Sequence, residues 1–399
     1  MCQSEVKHRG VGQSGEAPLA PQLEEKLPSV KELRDAVPKH CFERSALKST
    51  FFLLRDAAFV AAFGYLAYNT LSMDLTLVNL FLWGVYAVCQ GTIMTSLWVV
   101  GHECGHYAYS SSNFINDFVG FFTHSALLVP YFSWQRTHKV HHAKCNHLLD
   151  GESHVPDLKR KVHKLYTKVL DAVGEDAFVL LQIILHLGFG WLMYLFWHAT
   201  GSRRSPVTKQ RYSKKPNHFS PFASNELFPE HLRFKVFLSS AGIFGMLAIL
   251  AYASTIYGLK TVALMYGGPY LIVNAWLVGY TWLQHSDASV PHFGEDEWSW
   301  LRGAVNTIDR PYPWIIDELH HHIGSTHVCH HIFHELPHYH AQEATKALIP
   351  VLKSHYKYDP APIHKALWKT ARDCHYVEEL DGVQYPKSII HERRTAKKL

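Results

Sequence analysis

Twenty-six consecutive residues, Leu75–Val100, contain no charged side chain. As a helix this run spans roughly 39 Å, more than the ~30 Å hydrocarbon core of a bilayer. Its C-terminal end, Gly101–His106, is therefore expected to emerge from lipid. Comparable apolar blocks occur at Phe51–Leu71, Ala177–Ala199, Val236–Leu259 and Thr261–Leu283. A weaker one, Phe114–Trp134, is interrupted by Asn116, Asp117, His124 and Pro130. Core helices of a soluble α/β enzyme seldom stay apolar for about 20 residues, so these blocks predict a membrane protein.

Charge supplies the orientation. No cation lies between Leu71 and Leu75, and only Lys260 separates the last two blocks. The long segments between blocks carry many, including Lys39, Arg44, Lys48, Arg136, Lys139, Lys159, Arg160, Lys161, Arg203, Arg204, Lys214 and Lys215. The positive-inside rule then puts both termini and the long segments in the cytosol. The cations flank apolar runs and form no stripe for phosphates, and the net charge is only +5, which argues against nucleic acid as a partner. Seven scattered cysteines without CxxC pairing suit a reducing compartment. Residues 1–50 have no apolar core for a signal peptide.

Residues 1–28 are expected to be a disordered cytosolic tail. Ser29-Val-Lys-Glu32, just after Pro28, has the pattern of a capping box, and Pro38 should end the short helix it starts. Arg55 and Asp56, near the start of the first block, are expected at the interface.

Histidine is the other anomaly: 30 residues, against 34 Asp and Glu together. Three clusters stand out. His102-Glu-Cys-Gly-His106 follows the second block, and its histidines at i and i+4 share a helical face. His138-Lys-Val-His141-His142 and His327-Val-Cys-His330-His331 place imidazoles at i, i+3 and i+4. The first also fits His-Glu-x-x-His, so a zinc protease has to be weighed. Three protein ligands suffice for such a site, however, and eight imidazoles exceed what one zinc needs. They suit two first-row metals, with imidazole a good ligand for iron. A histidine-rich metal transporter would place ionisable groups inside the crossing spans, where the first two blocks have few.

If all three clusters build one site, an even number of crossings must separate them. Phe114–Trp134 should then dip into the membrane and return, and Ala177–Ala199 should not span. The expected fold is an all-α integral membrane protein. Four transmembrane helices form two hairpins, Phe51–Val100 and Val236–Leu283, with interfacial helices and a cytosolic helical cap, residues 341–370, around the histidine-rich site.

The three clusters, in this order and spacing, resemble those of the membrane fatty acid desaturase family. The likeness covers residues 29–385, followed by a basic tail, 386–399. Further stretches resemble the members that act on the middle and methyl end of acyl chains: Thr281-Trp-Leu-Gln-His285, Trp300-Leu-Arg-Gly303, Thr307-Ile-Asp-Arg310 and Pro337-His-Tyr-His-Ala341-Gln-Glu-Ala-Thr345. The resemblance implies two iron ions held by His102, His106, His138, His141, His142, His327, His330 and His331. His285 is the implied ninth ligand, with His292 close by. His320, His321, His322, His334, His338 and His340 crowd the third cluster and are expected to hydrogen-bond around the ligands or lie on the surface.

The implied reaction is O2-dependent insertion of a cis double bond at Δ12 of oleoyl chains, on lipid or coenzyme A, in the endoplasmic reticulum membrane. Electrons would come from a separate cytochrome b5 and its reductase, since no haem-binding pattern is present; self-association is left open. Glu103 and the PHYHAQEATKAL stretch favour Δ12. The Lys-Val pair in the second cluster and Cys329 in the third depart from the usual pattern, and leave an ω3 (Δ15) or bifunctional desaturase, or a hydroxylase, as alternatives.

Overall fold

A computed structural model describes residues 26–396. Most of the disordered tail expected at 1–28 lies outside the described residues, as do Lys397-Lys398-Leu399. Among the described residues the elements are helices apart from one short antiparallel strand pair, β1 (His292–Phe293) with β2 (Val383–Gln384).

The chain enters through α1 (Val30–Ala36), and the capping box forms as its spacing predicts. Ser29 Oγ accepts from Glu32 N, and the Glu32 carboxylate accepts from Ser29 N. Two long helices follow as a hairpin, α2 (Ala46–Thr70) and α3 (Leu77–Gly105). Ser45 and Thr76 cap them, each accepting from a backbone N–H three residues on. The hairpin is pinned across its turn by Trp83 Nε1 donating to Ser72 O, and lower down by Gln90 Nε2 donating to Val60 O.

The weak apolar block divides at Leu127–Pro130 into α4 (Asn113–Ala126) and α5 (Tyr131–Ala143). Leu128 takes a left-handed turn at φ 55°, which sends α5 back with the second histidine cluster. Phe114, Phe118 and Phe122 form an exposed stripe on α4 at i, i+4, i+8, as expected of a helix lying against lipid. The amphipathic α6 (Lys159–Val173) leads into α7 (Glu175–Trp197).

A second pair of long helices is α8 (Arg233–Tyr257) and a continuous run built from α9 (Leu259–Val262), a π-helical turn at Ala263–Gly267, and α10 (Gly268–His285). Pro269 explains the irregular turn, because it has no N–H for the carbonyl of Met265. That carbonyl accepts from Tyr86 Oη on α3 instead. α3 and α10 come together at Gly91, where an added Cβ would sit 2.6 Å from Pro269 O and 2.5 Å from Ile272 Cβ. Among the described residues, five helices are long and apolar enough to cross a membrane: α2, α3, α7, α8 and the α9–α10 run. Their outward faces carry exposed Leu54, Phe59, Phe81, Ile184, Phe244 and Ile249, which a bilayer would cover.

The remaining short helices, α11 (Trp300–Val305), α12 (Trp314–Leu319), α13 (His327–Ile332), α14 (His338–Leu352), α15 (Ile363–Asp373) and α16 (Ile389–Ala396), build the cap. The cap is larger than the expected 341–370. Leu33, Val37 and Cys41 from the N-terminal arm pack with Val328, Ile332, Phe333, Ala344 and Leu348 in one apolar core. In a second core, Ile389 and Ile390 of α16 bury against Val162, Phe178 and Tyr376. The basic segment after residue 386 is thus docked at its start.

Candidate metal centre

Each histidine cluster is delivered by a helix end. His102 lies in the last turn of α3, with His106 as its C-cap; α5 carries His138, His141 and His142; α13 carries His327, His330 and His331; and His285 is the last residue of α10. Helical spacing turns the members of each cluster to one side. Tertiary packing brings the sides together. Gly101 is needed for this, since an added Cβ there would lie 2.1 Å from the ring of His124.

The rings fall into two sets. In one, ligand nitrogens of His102, His106, His138, His142 and His330 all lie within 4.8 Å of one another. Nε2 of His102 is 2.9 Å from Nε2 of His138 and 3.3 Å from that of His106, and His138 Nε2 is 3.2 Å from His142 Nε2. In the other, His285 Nε2 lies 3.1 Å from His141 Nε2 and 3.0 Å from His327 Nε2, with the His331 ring centroid 4.8 Å from that of His285. The sets adjoin where His142 and His331 stack at 4.2 Å. All nine predicted residues meet here, from four helices.

Neutral imidazoles carry one ring N–H each, so a closed group of facing nitrogens cannot satisfy every contact with hydrogen bonds. Buried His330 Nε2 and both ring nitrogens of His331 have no hydrogen-bond partner, which is costly unless something else binds them. Two nitrogens on one metal, each about 2.1 Å away and roughly 90° apart, are about 3.0 Å from each other. The observed nitrogen spacings match that edge. Burial holds His138 and His142 well below the usual histidine range, His141 down at about 4 and His330 at about 3, so these rings are neutral and ready to ligate.

Neighbours fix the rings. Nδ1 of His141 donates to Glu152 O at 2.6 Å, leaving Nε2 for a metal. The Glu152 carboxylate is buried and accepts from Tyr194 Oη at 2.7 Å; burial pushes its pKa up to about 7 against the hydrogen bonds from Tyr194 and Ser202. Asp309 Oδ1 accepts from Val328 N at 2.8 Å in the first turn of α13, and its other oxygen accepts from Tyr356 Oη. Arg310, wholly buried, donates to Leu283 O beside His285 and pairs with Asp359. Glu103 Oε2 accepts from His338 N at 2.9 Å, tying the first cluster to α14.

The histidines expected to crowd the third cluster divide by position. His334 contacts the rings of His106 and His142 at 5.0 and 5.2 Å. His320 donates to Thr92 O and accepts from Tyr280 Oη, and His321 donates to Asp56. His322 bonds Asp317. His292 sits in β1, outside both sets. Asp56, expected at an interface, is instead fully buried.

Beside the site lies a cavity of about 450 Å3 between α7 and α10. It runs from His138 and His141 past Trp191, Val278 and Thr281 to Tyr376 under the cap. Its walls draw on Trp98 of α3, Trp134 at the end of the dipping segment, and Leu277 and Val278 of α10, with α7, from the third apolar block, closing the side. His154, which the sequence did not single out, lines this wall; its Nε2 lies 2.9 Å from Thr281 Oγ1, whose hydroxyl donates to Leu277 O, so the imidazole N–H is the donor. No motif marks Glu152, His154 or Asp309. Their partners lie far off in sequence, though Asp309 falls within a stretch that carried the family likeness.

Residues 77–361 match the profile described as Fatty acid desaturase. The chain is 39% identical to the oleoyl-12-hydroxylase of Ricinus communis over 351 residues, covering 88% of this chain and 87% of that one. It is 38% identical to the Delta(12)-acyl-lipid-desaturase of Punica granatum, covering 90% of each. It is also 38% identical to the omega-6 fatty acid desaturase, endoplasmic reticulum isozyme 1, of Glycine max, covering 92% and 91%.

Proposed function

This chain belongs to the fatty acid desaturase family, and we propose that it inserts a cis double bond at Δ12 of oleoyl chains to give linoleoyl chains. The observation that carries the reading is the convergence of nine imidazoles in two adjoining sets, of which His138 and His141 line one end of a largely apolar cavity. Relatives named for Δ12 or oleate desaturation align over nearly all of the chain. The balance is one O2, two electrons and two protons, with two hydrogens leaving the acyl chain and two waters formed.

His102, His106, His138, His142 and His330 would hold one iron, and His141, His285, His327 and His331 the other. Bound iron supplies, with O2, the oxidant for an unactivated methylene C–H bond, which side-chain acid–base chemistry cannot attack. The protein's own part is positioning. Trp191, Val278 and Thr281 guide an extended acyl chain past His138 and His141, and the buried wall keeps bulk water from the reacting carbons. Glu152, Asp309 and Arg310 hold the ring orientations.

The enzyme resides in the endoplasmic reticulum membrane, with the histidine site and both termini cytosolic, and takes electrons from a separate cytochrome b5 and its reductase. It crosses the bilayer four times, as α2 with α3 and α8 with α9–α10. Support for leaving α7 out comes from its two ends. Phe178 near its start packs on Ile389, Ile390 and Tyr376 of the cap, while Tyr194 near its end bonds Glu152 beside the metal site. Both ends therefore meet elements on the histidine side.

Expression in a host that makes oleate but no dienes, followed by fatty acid profiling, tests this function. Linoleate is the expected product. Linolenate from supplied linoleate would move the reading to ω3, and a 12-hydroxy product would move it to the hydroxylase represented by the Ricinus communis relative.

A further inference from the structure

A second group of metal-type donors lies away from the nine histidines. His40 and Cys41 are adjacent on the 3-10 turn Lys39–Phe42, between α1 and α2. His340 and Glu343 are three residues apart at the start of α14 and so share a face. One ligand atom from each of the four lies within 4.8 Å of every other. His40 Nε2 is 3.0 Å from Glu343 Oε2 and 3.7 Å from Cys41 Sγ. The His40 and His340 rings meet edge-on at 5.4 Å.

Donors around a tetrahedral zinc, with Zn–N near 2.0 Å and Zn–S near 2.3 Å, stand roughly 3.3–3.7 Å apart. The His40–Glu343 and His40–Cys41 separations lie at or just below that range, and the remaining donors lie within 4.8 Å. Its chemistry is selective. One thiolate, two imidazoles and a single carboxylate suit zinc, whereas calcium and magnesium want oxygen. Access is available too. Cys41 is buried against Leu33 and Val37, while His40 and Glu343 are about half exposed, so an ion can enter from water.

We propose that His40, Cys41, His340 and Glu343 form a zinc site, distinct from the iron centre, that fastens the N-terminal arm to α14. Binding would release the Cys41 thiol proton to solvent. The consequence reaches the catalytic side through α14, whose first residue, His338, gives its N–H to Glu103 next to His102. The ion would hold that helix in register from the opposite side.

Metal analysis of the full-length protein, purified in detergent, loaded with zinc and washed, tests the site. Wild type should retain about one zinc per chain beyond its iron. Cys41→Ala and His340→Asn should each lower the zinc at least tenfold with iron per chain unchanged. Cobalt loaded in place of zinc should give the near-ultraviolet sulfur-to-metal charge-transfer band in wild type and lose it in Cys41→Ala. Glu343→Gln, at the solvent edge, repeats the zinc measurement without disturbing the core. The iron content of the same samples reports folding. Equal zinc in wild type, His340→Asn and Glu343→Gln, or no sulfur-to-cobalt band in wild type, would overturn the assignment.

Discussion

Asp56 Oδ2 accepts a hydrogen bond from His321 Nε2 at 2.7 Å, with both side chains buried. The contact joins α2 to the loop before the third histidine cluster, where His321 is held at φ 54°. His321 in turn packs on the His338 ring at 4.2 Å, and His338 N reaches Glu103. A carboxylate outside the metal-binding set thus sets the position of the cap over the first cluster. Asp56→Ala would leave the imidazole N–H buried and unpaired, at a cost of about 1–3 kcal/mol. The variant should show a lower unfolding temperature in detergent and less iron per chain, and Asp56→Asn, which still accepts, should recover much of both. Unchanged values for Asp56→Ala would remove this contact from the account.

The hydroxyl of Tyr194 makes a comparable contribution on the other side. It donates to the buried Glu152 carboxylate, and the carbonyl of the same residue orients His141. Tyr194→Phe takes away one donor from a group already pushed towards neutrality by burial. Outer partners of metal-binding histidines are typically worth about 10–100-fold in affinity or activity. Tyr194→Phe should fall in that range by turnover per chain, with iron lost faster to a chelator than from wild type. Wild-type chelation kinetics would argue that Glu152 is held well enough by Ser202 alone.

The two ligand sets predict how deletions behave. His141→Ala and His285→Ala remove nitrogens that face each other at 3.1 Å, so both should abolish desaturation and lower iron by about one per chain. Membrane insertion, read by glycosylation reporters in the loops, should not change. His292→Ala, which lies outside both sets, should retain iron. Removing iron with a ferrous chelator should stop activity, and ferrous ion but not zinc should restore it. Equal losses in the His285 and His292 variants would make the ninth position a matter of folding rather than ligation.

What could be read from sequence follows the distance over which the signal acts. Histidines at i, i+3 and i+4 meet by helical geometry alone, so the three clusters and the Ser29 capping box were visible locally. The hairpins show in the apolar runs that must fill a bilayer. His285 sits 144 residues from His141, and only tertiary packing, with α10 and α5 both lying against α3, brings them together. Asp56 next to Arg55 looked like an interfacial pair because local sequence does not show that His321 would cover it. Glu152 and His154 lie in a polar loop of unremarkable composition, and their roles depend on Tyr194 and Thr281 from other helices. For α7 the apolar composition is the same whether it meets lipid or encloses an acyl chain, so periodicity could not reveal it as the cavity wall.

That wall offers the last test. Gly190 on α7 packs beside Val278 on α10 in the cavity lining, and an added Cβ would lie 3.3 Å from Val278 Cγ1. A single methyl fits there with slight adjustment, but anything longer must occupy the space proposed for the acyl chain. Gly190→Ala should therefore keep most activity, while Gly190→Leu should obstruct the passage and weaken the enzyme chiefly on 18-carbon chains. Glycine to leucine in mid-helix does not cost intrinsic helix stability, so loss of folding is not the expected outcome. Feeding 16- and 18-carbon monoenes to cells expressing each variant gives the ratio of dienes. A drop of about tenfold in the 18-carbon product relative to the 16-carbon one, with iron content retained, is expected if the cavity between α7 and α10 holds the chain. An unchanged ratio would place the acyl chain elsewhere in the fold.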